Sequence, residues 1–126
     1  MLIDDNSDDN FCHERVIKKS NSAEIVLTKV RTVDALTYLQ SNTDHQYIHP
    51  DLIFLDINMP GMNGWDFLQE YNMLDKQLQS EVIVIMLTTS ENPDDKIKSM
   101  ELNVVSDFKT KPLTKEMLGD IITKYF

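Results

Sequence analysis

The 126-residue chain is 41% hydrophobic, which is enough apolar material for one core, and we predict a single domain over residues 1–126. Its formal net charge of -9, from 21 acidic and 12 basic residues, argues against direct binding to nucleic acid or to an anionic membrane. The only cysteine, Cys12, excludes an internal disulfide and fits a reducing compartment, for which we expect the cytoplasm, and no apolar run approaches the roughly 20 residues of a membrane span.

Five short apolar segments have the character of buried strands. In chain order they cover residues 2–3, 25–27, 52–55, 82–87 and 104–108. The three central segments are continuous and rich in β-branched residues, and they do not alternate with polar residues. Continuous runs of this kind are typical of a parallel sheet that is covered on both faces.

Apolar residues recur at helical spacing between and after these strands. The four stripes are Val33, Leu36 and Leu39; Phe67, Tyr71 and Leu74; Ile97, Met100 and Val104; and Met117, Leu118, Ile121, Ile122 and Tyr125. Residues suited to capping a helix N-terminus are Ser7, Thr32, Asn92 and Thr114. Strands and helices therefore alternate about five times, which predicts an α/β fold with a parallel sheet and right-handed crossovers.

In such a fold, functional residues gather at the carboxyl edge, the edge of the sheet where the strands end. The residues that follow the predicted strands there are Asp4, Asp5, Asp56, Thr88, Thr89 and Lys111. Crowded carboxylates repel one another unless a cation neutralises them, and Mg²⁺ suits oxygen ligands. Lys111 and Thr88 offer the charge and the hydroxyl that a transferred phosphoryl group needs. Asp56 is the natural nucleophile, because aspartates form acyl phosphates.

Each of these features also has an ordinary structural explanation. Two aspartates after a strand often form a turn or a helix cap, and residues 59–64 have the composition of a plain turn. Thr88 can simply end a strand, and a lysine before a proline is usually solvated. The joint placement at one end of successive strands favours a shared site, because chance would scatter these residues over both ends.

The chain resembles the receiver domain of two-component response regulators, of the chemotaxis-regulator type, over essentially its whole length. Four stretches carry the resemblance, in matching order and spacing: LIDDN at 2–6, LIFLDINMPGMNG at 52–64, VIMLT at 84–88 and FKTKPL at 108–113. The resemblance implies one receiver domain with a single (βα)5 doubly wound parallel sheet, flavodoxin-like, in strand order 2-1-3-4-5.

The resemblance also implies the chemistry. Asp56 would accept a phosphoryl group from a phosphohistidine on a partner histidine kinase or histidine phosphotransfer protein. Mg²⁺ would be held by Asp5, Asp56 and the backbone carbonyl of Asn58, with Asp4 acting through water. The side chains of Asn58 and Ser90 would tune the loss of the phosphoryl group to water. On this reading the chain is a signalling receiver and not an enzyme, apart from catalysing its own phosphorylation and dephosphorylation.

A conformational switch is implied as well. Thr88 would move toward the phosphoryl group and the ring of Phe108 would swing inward, repacking a surface of the fourth helix, fifth strand and fifth helix that binds a downstream target or a second copy. Phe108 is equally well read as a core aromatic, and Trp65 as a packing residue. Three departures from the common pattern are Thr89 in place of a small residue, Phe108 in place of tyrosine, and a first strand so short that we expect a truncated start.

Three alternatives compete with this interpretation. A phosphohydrolase of the haloacid-dehalogenase class also pairs an aspartate nucleophile with Mg²⁺, but it needs an acid where this chain has Asn58. A flavodoxin-like electron carrier would place a flavin phosphate against the acidic residues 4–9, which would repel it. A pseudo-receiver usually loses the acids or the lysine, and this chain keeps both.

Overall fold

The computed structural model describes residues 1–40, 50–57, 63–74, 83–89, 94, 97–98, 101 and 105–126. Strands and helices alternate along these residues in nearly every connection. The elements are β1 (Leu2–Ile3), α1 (Ser7–Lys19), β2 (Thr28–Lys29), α2 (Thr32–Gln40), β3 (Leu52–Leu55), α3 (Gly64–Asn72), β4 (Ile83–Thr88), β5 (Asp107–Thr110) and α4 (Lys115–Tyr125). The helix α4 is the C-terminal helix predicted from the sequence, and the helix predicted after Asn92 lies largely outside the described residues.

The strands form one parallel sheet in the order β2-β1-β3-β4-β5. Ile3 of β1 pairs with Lys29 on one side and with Leu55 on the other, which places β1 in the interior of the sheet. The long ladder between β3 and β4 runs from the pair Leu52 and Ile83 to the pair Leu55 and Met86. The α/β class, the doubly wound architecture and the strand order predicted from the sequence are confirmed.

Both faces of the sheet are buried, as the continuous apolar strands predicted. Successive residues of β4 belong to different cores: Val84 and Met86 pack with α2 and α3, and Ile85 and Leu87 pack with α1 and α4. The predicted stripe is confirmed for Phe67 and Tyr71, whose rings are buried and stacked with centroids 5.8 Å apart, whereas Leu74 lies beyond the end of α3 and is only partly buried. This two-sided packing fixes the strand ends and therefore the carboxyl edge.

The predicted strand bounds were right for β3 and displaced for β2 and β5. The second strand begins at Thr28, after the apolar segment 25–27, and Ile25 is 52% exposed. The reason is that β2 pairs only with the two residues of β1, so the ladder covers only Thr28 and Lys29, and Leu27 merely accepts a hydrogen bond from the Leu2 amide at 2.7 Å. The fifth strand is Asp107–Thr110 because it pairs with the last four residues of β4, Ile85–Thr88.

Two predictions about the helices are corrected. The N-cap of α1 is Asn6, and the predicted cap Ser7 is the first helical residue; the Asn6 side chain accepts hydrogen bonds from the amides of Asp8 and Asp9 at 3.0 and 3.2 Å. In α2, the predicted core residue Val33 is 49% exposed, and Ala35 is fully buried instead.

None of the described helices is long and apolar enough to cross a bilayer.

Candidate functional site

Three acids predicted from the sequence meet at the carboxyl edge. Carboxylate oxygens of Asp4, Asp5 and Asp56 lie within 4.8 Å of one another, and we refer to these three residues as the carboxylate cluster. Asp4 and Asp56 are buried, with 4% and 6% of their surface exposed, whereas Asp5 is exposed. An exposed acid beside two buried ones leaves the cluster open to solvent on one side.

Lys111 enters the carboxylate cluster from the end of β5. Its Nζ atom lies 2.5 Å from Oδ2 of Asp4, 2.9 Å from Oδ2 of Asp9 and 3.6 Å from Oδ1 of Asp56. Burial lowers the pKa of Lys111, but the hydrogen bonds to Asp4 and Asp9 and the charge of Asp56 outweigh burial and raise that pKa above its usual 10.5. The ammonium group therefore stays charged at neutral pH.

Backbone hydrogen bonds of the sheet set these positions. The amide of Asp56 donates to the carbonyl of Ile3 at 3.0 Å, and the amide of Asp4 donates to the carbonyl of Lys29 at 3.0 Å. At the other side of the site, the amide of Lys111 donates to the carbonyl of Thr88 at 2.7 Å. The functional side chains are thus fixed by the ends of the strands.

Gly64, the first residue of α3, allows a helix to begin directly against the residue after β3. Its amide donates to the carbonyl of Ile57 at 2.9 Å. A Cβ atom at this position would lie 2.5 Å from the carbonyl oxygen of Asp56 and 2.8 Å from Cα of Ile57. Both neighbours are backbone atoms, so the absence of a side chain at Gly64 is what permits this close approach.

The remaining predicted residues are placed as follows. Thr88 is fully buried at the end of β4, and Thr89 after it is exposed. Phe108 lies on β5 opposite Met86, partly buried against the core on the side of α2 and α3. Asn58 and Ser90 lie outside the described residues. The switch role of Thr88 and Phe108 stays a prediction.

Two buried polar side chains of α1, next to the carboxylate cluster, were not predicted from the sequence. Asn10 and His13 are each 4% exposed, and the Asn10 amide nitrogen donates to the backbone carbonyl of Asp4 at 2.9 Å. The two side chains join Asp4 and Asp56 in lining a cavity of about 10 Å³. Asn10, His13 and the buried Ile17 have the spacing of one helix face, which could have predicted that this face of α1 points inward. The pattern was missed because two of the three residues are polar.

The pKa of His13 is lowered from its usual 6.5, chiefly by burial and then by the positive charge of Lys111. The carboxylates of Asp9 and Asp4 act in the opposite direction without reversing the shift. His13 is therefore neutral at neutral pH, and Lys111 supplies the positive charge beneath the carboxylate cluster.

The chain is similar to known proteins of one family. The model of the response regulator receiver domain family matches residues 1–123. The chain is 31% identical over 105 residues to response regulator Rcp1 of a Synechocystis strain, covering 82% of this chain and 70% of that protein. It is also 31% identical over 112 residues to protein-glutamate methylesterase/protein-glutamine glutaminase 3 of Burkholderia thailandensis, covering 89% of this chain but 28% of that protein.

Solved structures agree with these sequence matches. A two component response regulator from Cytophaga hutchinsonii superimposes with a TM-score of 0.89 at 28% identity, covering 98% of this chain and 92% of that one. A response regulator receiver protein from Dyadobacter fermentans gives a TM-score of 0.87 at 25% identity, covering 99% and 94%. The fold prediction is therefore confirmed by structures that match almost the whole chain.

The fold and site together define a flavodoxin-like α/β signalling domain with acids and a lysine at its carboxyl edge. The chain belongs to the response regulator receiver domain family. Members of this family are phosphoryl-accepting domains of two-component signalling, and receiver domains accept phosphoryl groups from histidine kinases. The haloacid-dehalogenase alternative finds no support among these relatives. The chain spans only 7% of one matching protein, hybrid signal transduction histidine kinase L of Dictyostelium discoideum. The match therefore says nothing about the activities of the rest of that protein.

Proposed function

We propose that Asp56 is the phosphoryl acceptor of a single receiver domain over residues 1–126. The supporting observation is its position: a buried carboxylate at the end of β3, within 4.8 Å of two other carboxylates and 3.6 Å from the ammonium of Lys111. A carboxylate nucleophile next to a cation suits attack on a phosphoryl group, because the cation stabilises the charge that develops on the phosphoryl oxygens.

The transfer moves one phosphoryl group between two side chains. An Asp56 carboxylate oxygen attacks phosphorus, the phosphorus–nitrogen bond of the donor phosphohistidine breaks, and its electron pair returns to the imidazole. Lys111 neutralises one phosphoryl oxygen, and the Thr88 hydroxyl donates to another. Water later attacks phosphorus, which breaks the bond to Asp56 and releases inorganic phosphate. The domain thereby catalyses only its own phosphorylation and dephosphorylation.

The carboxylate cluster fits Mg²⁺. Its donors are all oxygens that lie within 4.8 Å of one another, and oxygen ligands are the ones Mg²⁺ prefers. Asp5, Asp56 and the backbone carbonyl of Asn58 would hold the ion, with Asp4 acting through water. When bound, the ion neutralises the negative charge that the acids and the phosphoryl oxygens share.

The output would be a change of surface. Thr88 and Phe108 would carry the change from the phosphoryl group to the face that contains β5 and α4, where a downstream target protein or a second copy of the chain binds. The donor would be a histidine kinase or a histidine phosphotransfer protein, and the site of action would be the cytoplasm. This assignment involves no direct contact with nucleic acid or membrane.

The test is the variant Asp56→Asn, treated with a small phosphodonor in Mg²⁺ buffer. We expect the wild type to gain the mass of one phosphoryl group in intact-protein mass spectrometry, and the variant to gain none while keeping a native circular dichroism spectrum. Asp120→Asn, an exposed acid of α4, is the matched control and should be phosphorylated normally. Phosphorylation of Asp56→Asn at the wild-type rate would refute the assignment.

A further inference from the structure

Asp9 contacts the site although no motif of the receiver family assigned it a role. It lies in the first turn of α1, and its Oδ2 atom is 2.9 Å from Nζ of Lys111. The carboxylate of Asp9 is 37% exposed, whereas the Lys111 side chain is 10% exposed. Lys111 therefore pairs with an acid outside the carboxylate cluster as well as with Asp4 and Asp56 inside it.

The position of Lys111 is biased toward α1. Its Nζ atom is nearer to Asp4, at 2.5 Å, and to Asp9, at 2.9 Å, than to Asp56, at 3.6 Å. An ammonium group has three donors, and hydrogen bonds to Asp4 and Asp9 occupy two of them. The distance to Asp56 exceeds that of a hydrogen bond, so Lys111 holds Asp56 only as a longer ion pair and makes its hydrogen bonds on the α1 side.

We propose that Asp9 is a positioning residue that holds Lys111 on the α1 side and competes with a phosphoryl group on Asp56 for its ammonium. This inference rests on the proposed function of Asp56. Asp9 thereby weakens the affinity of the site for a phosphoryl-shaped ligand, because it shares the charge of the ammonium and resists its movement toward the ligand.

The backbone of α1 keeps Asp9 from following Lys111. The Asp9 amide donates to the N-cap Asn6 at 3.2 Å, and the buried Asn10 donates to the carbonyl of Asp4 at 2.9 Å. The first turn of the helix is thus fastened to the strand that carries Asp4. Movement of Lys111 toward Asp56 therefore lengthens its bond to Asp9, because α1 stays in place.

Beryllofluoride, a phosphoryl-shaped ligand, tests the competition at equilibrium in Mg²⁺ buffer, with binding followed by Trp65 fluorescence or calorimetry. Asp9→Asn should bind it about fivefold more tightly than the wild type, the gain expected from releasing one partly exposed charge-assisted bond. Asp8→Asn is the matched control, since it removes the same charge from the same turn at an exposed position. It should change the affinity by less than about twofold.

Repeating the Asp9→Asn comparison on a Lys111→Ala background separates positioning from general electrostatics. If Asp9 acts through Lys111, its removal has no effect once the ammonium is gone. Equal tightening on both backgrounds, or an effect of Asp9→Asn no larger than that of Asp8→Asn, would overturn the inference. In EDTA, urea unfolding of the same four proteins should show that Asp9→Asn lowers the folding constant about threefold more with Lys111 present than without it.

These outcomes distinguish the inference from the function it rests on. A wild type that takes up phosphate and binds beryllofluoride, alongside equal affinities of the Asp9→Asn and Asp8→Asn variants, defeats the role of Asp9 and leaves the function of Asp56 intact. A wild type that binds no beryllofluoride and takes up no phosphate defeats both.

Discussion

Nζ of Lys111 lies 2.5 Å from Oδ2 of Asp4, although 107 positions separate the two residues in the sequence. Asp4 follows β1 and Lys111 follows β5, so the ion pair reaches across the ends of β3 and β4. The Asp4 side chain is buried, at 6% exposure, and the Lys111 side chain is nearly so, at 10% exposure. A charge left unpaired in such a place is costly, and this makes the pair the electrostatic centre of the site.

Lys111→Ala should lower the free energy of unfolding by about 3 kcal/mol in metal-free buffer, because it leaves buried carboxylates without their counter-ion. Urea denaturation measures the change. Lys109→Ala is the control, since its ion pair with Asp107 is longer, at 3.5 Å, and more exposed. It should cost less than about 1 kcal/mol. Equal losses in the two variants would contradict a special role for Lys111.

The same Lys111→Ala variant should retain some phosphorylation while transmitting it poorly. Asp56 keeps its carboxylate, but the phosphoryl group loses the cation that links it to β5. The measurement is the affinity of a phosphorylation-dependent partner for the phosphorylated variant. An unchanged affinity relative to the phosphorylated wild type would count against the proposed path.

Mg²⁺ should stabilise the wild type, and Asp5→Asn should remove most of that effect. An ion that binds only the folded chain adds about 1.4 kcal/mol at ten times its dissociation constant, which raises the midpoint of thermal unfolding. Asp5 is chosen because it is the exposed member of the carboxylate cluster, so its substitution leaves the buried ion pair intact. Asp8→Asn should respond to Mg²⁺ like the wild type, and a full response of Asp5→Asn would exclude Asp5 as a ligand.

His13 should make the fold sensitive to acid. Its pKa is lowered on folding by burial and by Lys111, against the carboxylates of Asp9 and Asp4, so the unfolded chain binds a proton that the folded chain resists. Its stabilising contribution is complete above the unfolded value of 6.5 and is lost as pH falls below it, by at most about 1.4 kcal/mol per pH unit. Urea denaturation between pH 7.5 and 5 should show a smaller loss for His13→Gln, and equal pH profiles would refute the role of His13.

Gly64→Ala and Gly119→Ala should change stability in opposite directions. At Gly64 the added Cβ meets the backbone of Asp56 and Ile57, which costs about 1 to 3 kcal/mol through the forced shift. At Gly119 no atom lies within 4 Å of the added Cβ, so alanine should stabilise α4 by up to about 1 kcal/mol. Thermal unfolding compares the two variants. An unchanged stability of Gly64→Ala would show that the backbone after β3 can shift to accept the added Cβ.

The features predicted correctly from the sequence are those that depend on the pattern of apolar residues and on the order of the strands. Residues 52–55 were a continuous apolar run, and the structure has β3 at Leu52–Leu55. The stripe of Phe67 and Tyr71 was buried as expected, and the side chain of Thr114 caps α4 by accepting from the Met117 amide at 3.1 Å. The convergence of Asp4, Asp56 and Lys111 followed from the parallel sheet alone.

What the sequence did not predict depends on register and on contacts between distant segments. The start of β2 is set by pairing with the two residues of β1, which the apolar run at 25–27 does not encode. Val33 was expected in the core, but the orientation of α2 on the sheet buries Ala35. The bond between Asp9 and Lys111 joins residues 102 positions apart and requires three-dimensional packing to be seen.

The hydrogen bond from the Lys111 amide to the Thr88 carbonyl, at 2.7 Å, has a mechanical consequence. We expect Lys111 and Thr88 to bind the same ligand, one through its ammonium and one through its hydroxyl. Their main chains are joined by this hydrogen bond. We therefore expect a displacement of one strand end to displace the other, so that the contacts of Thr88 and Lys111 with a ligand form together.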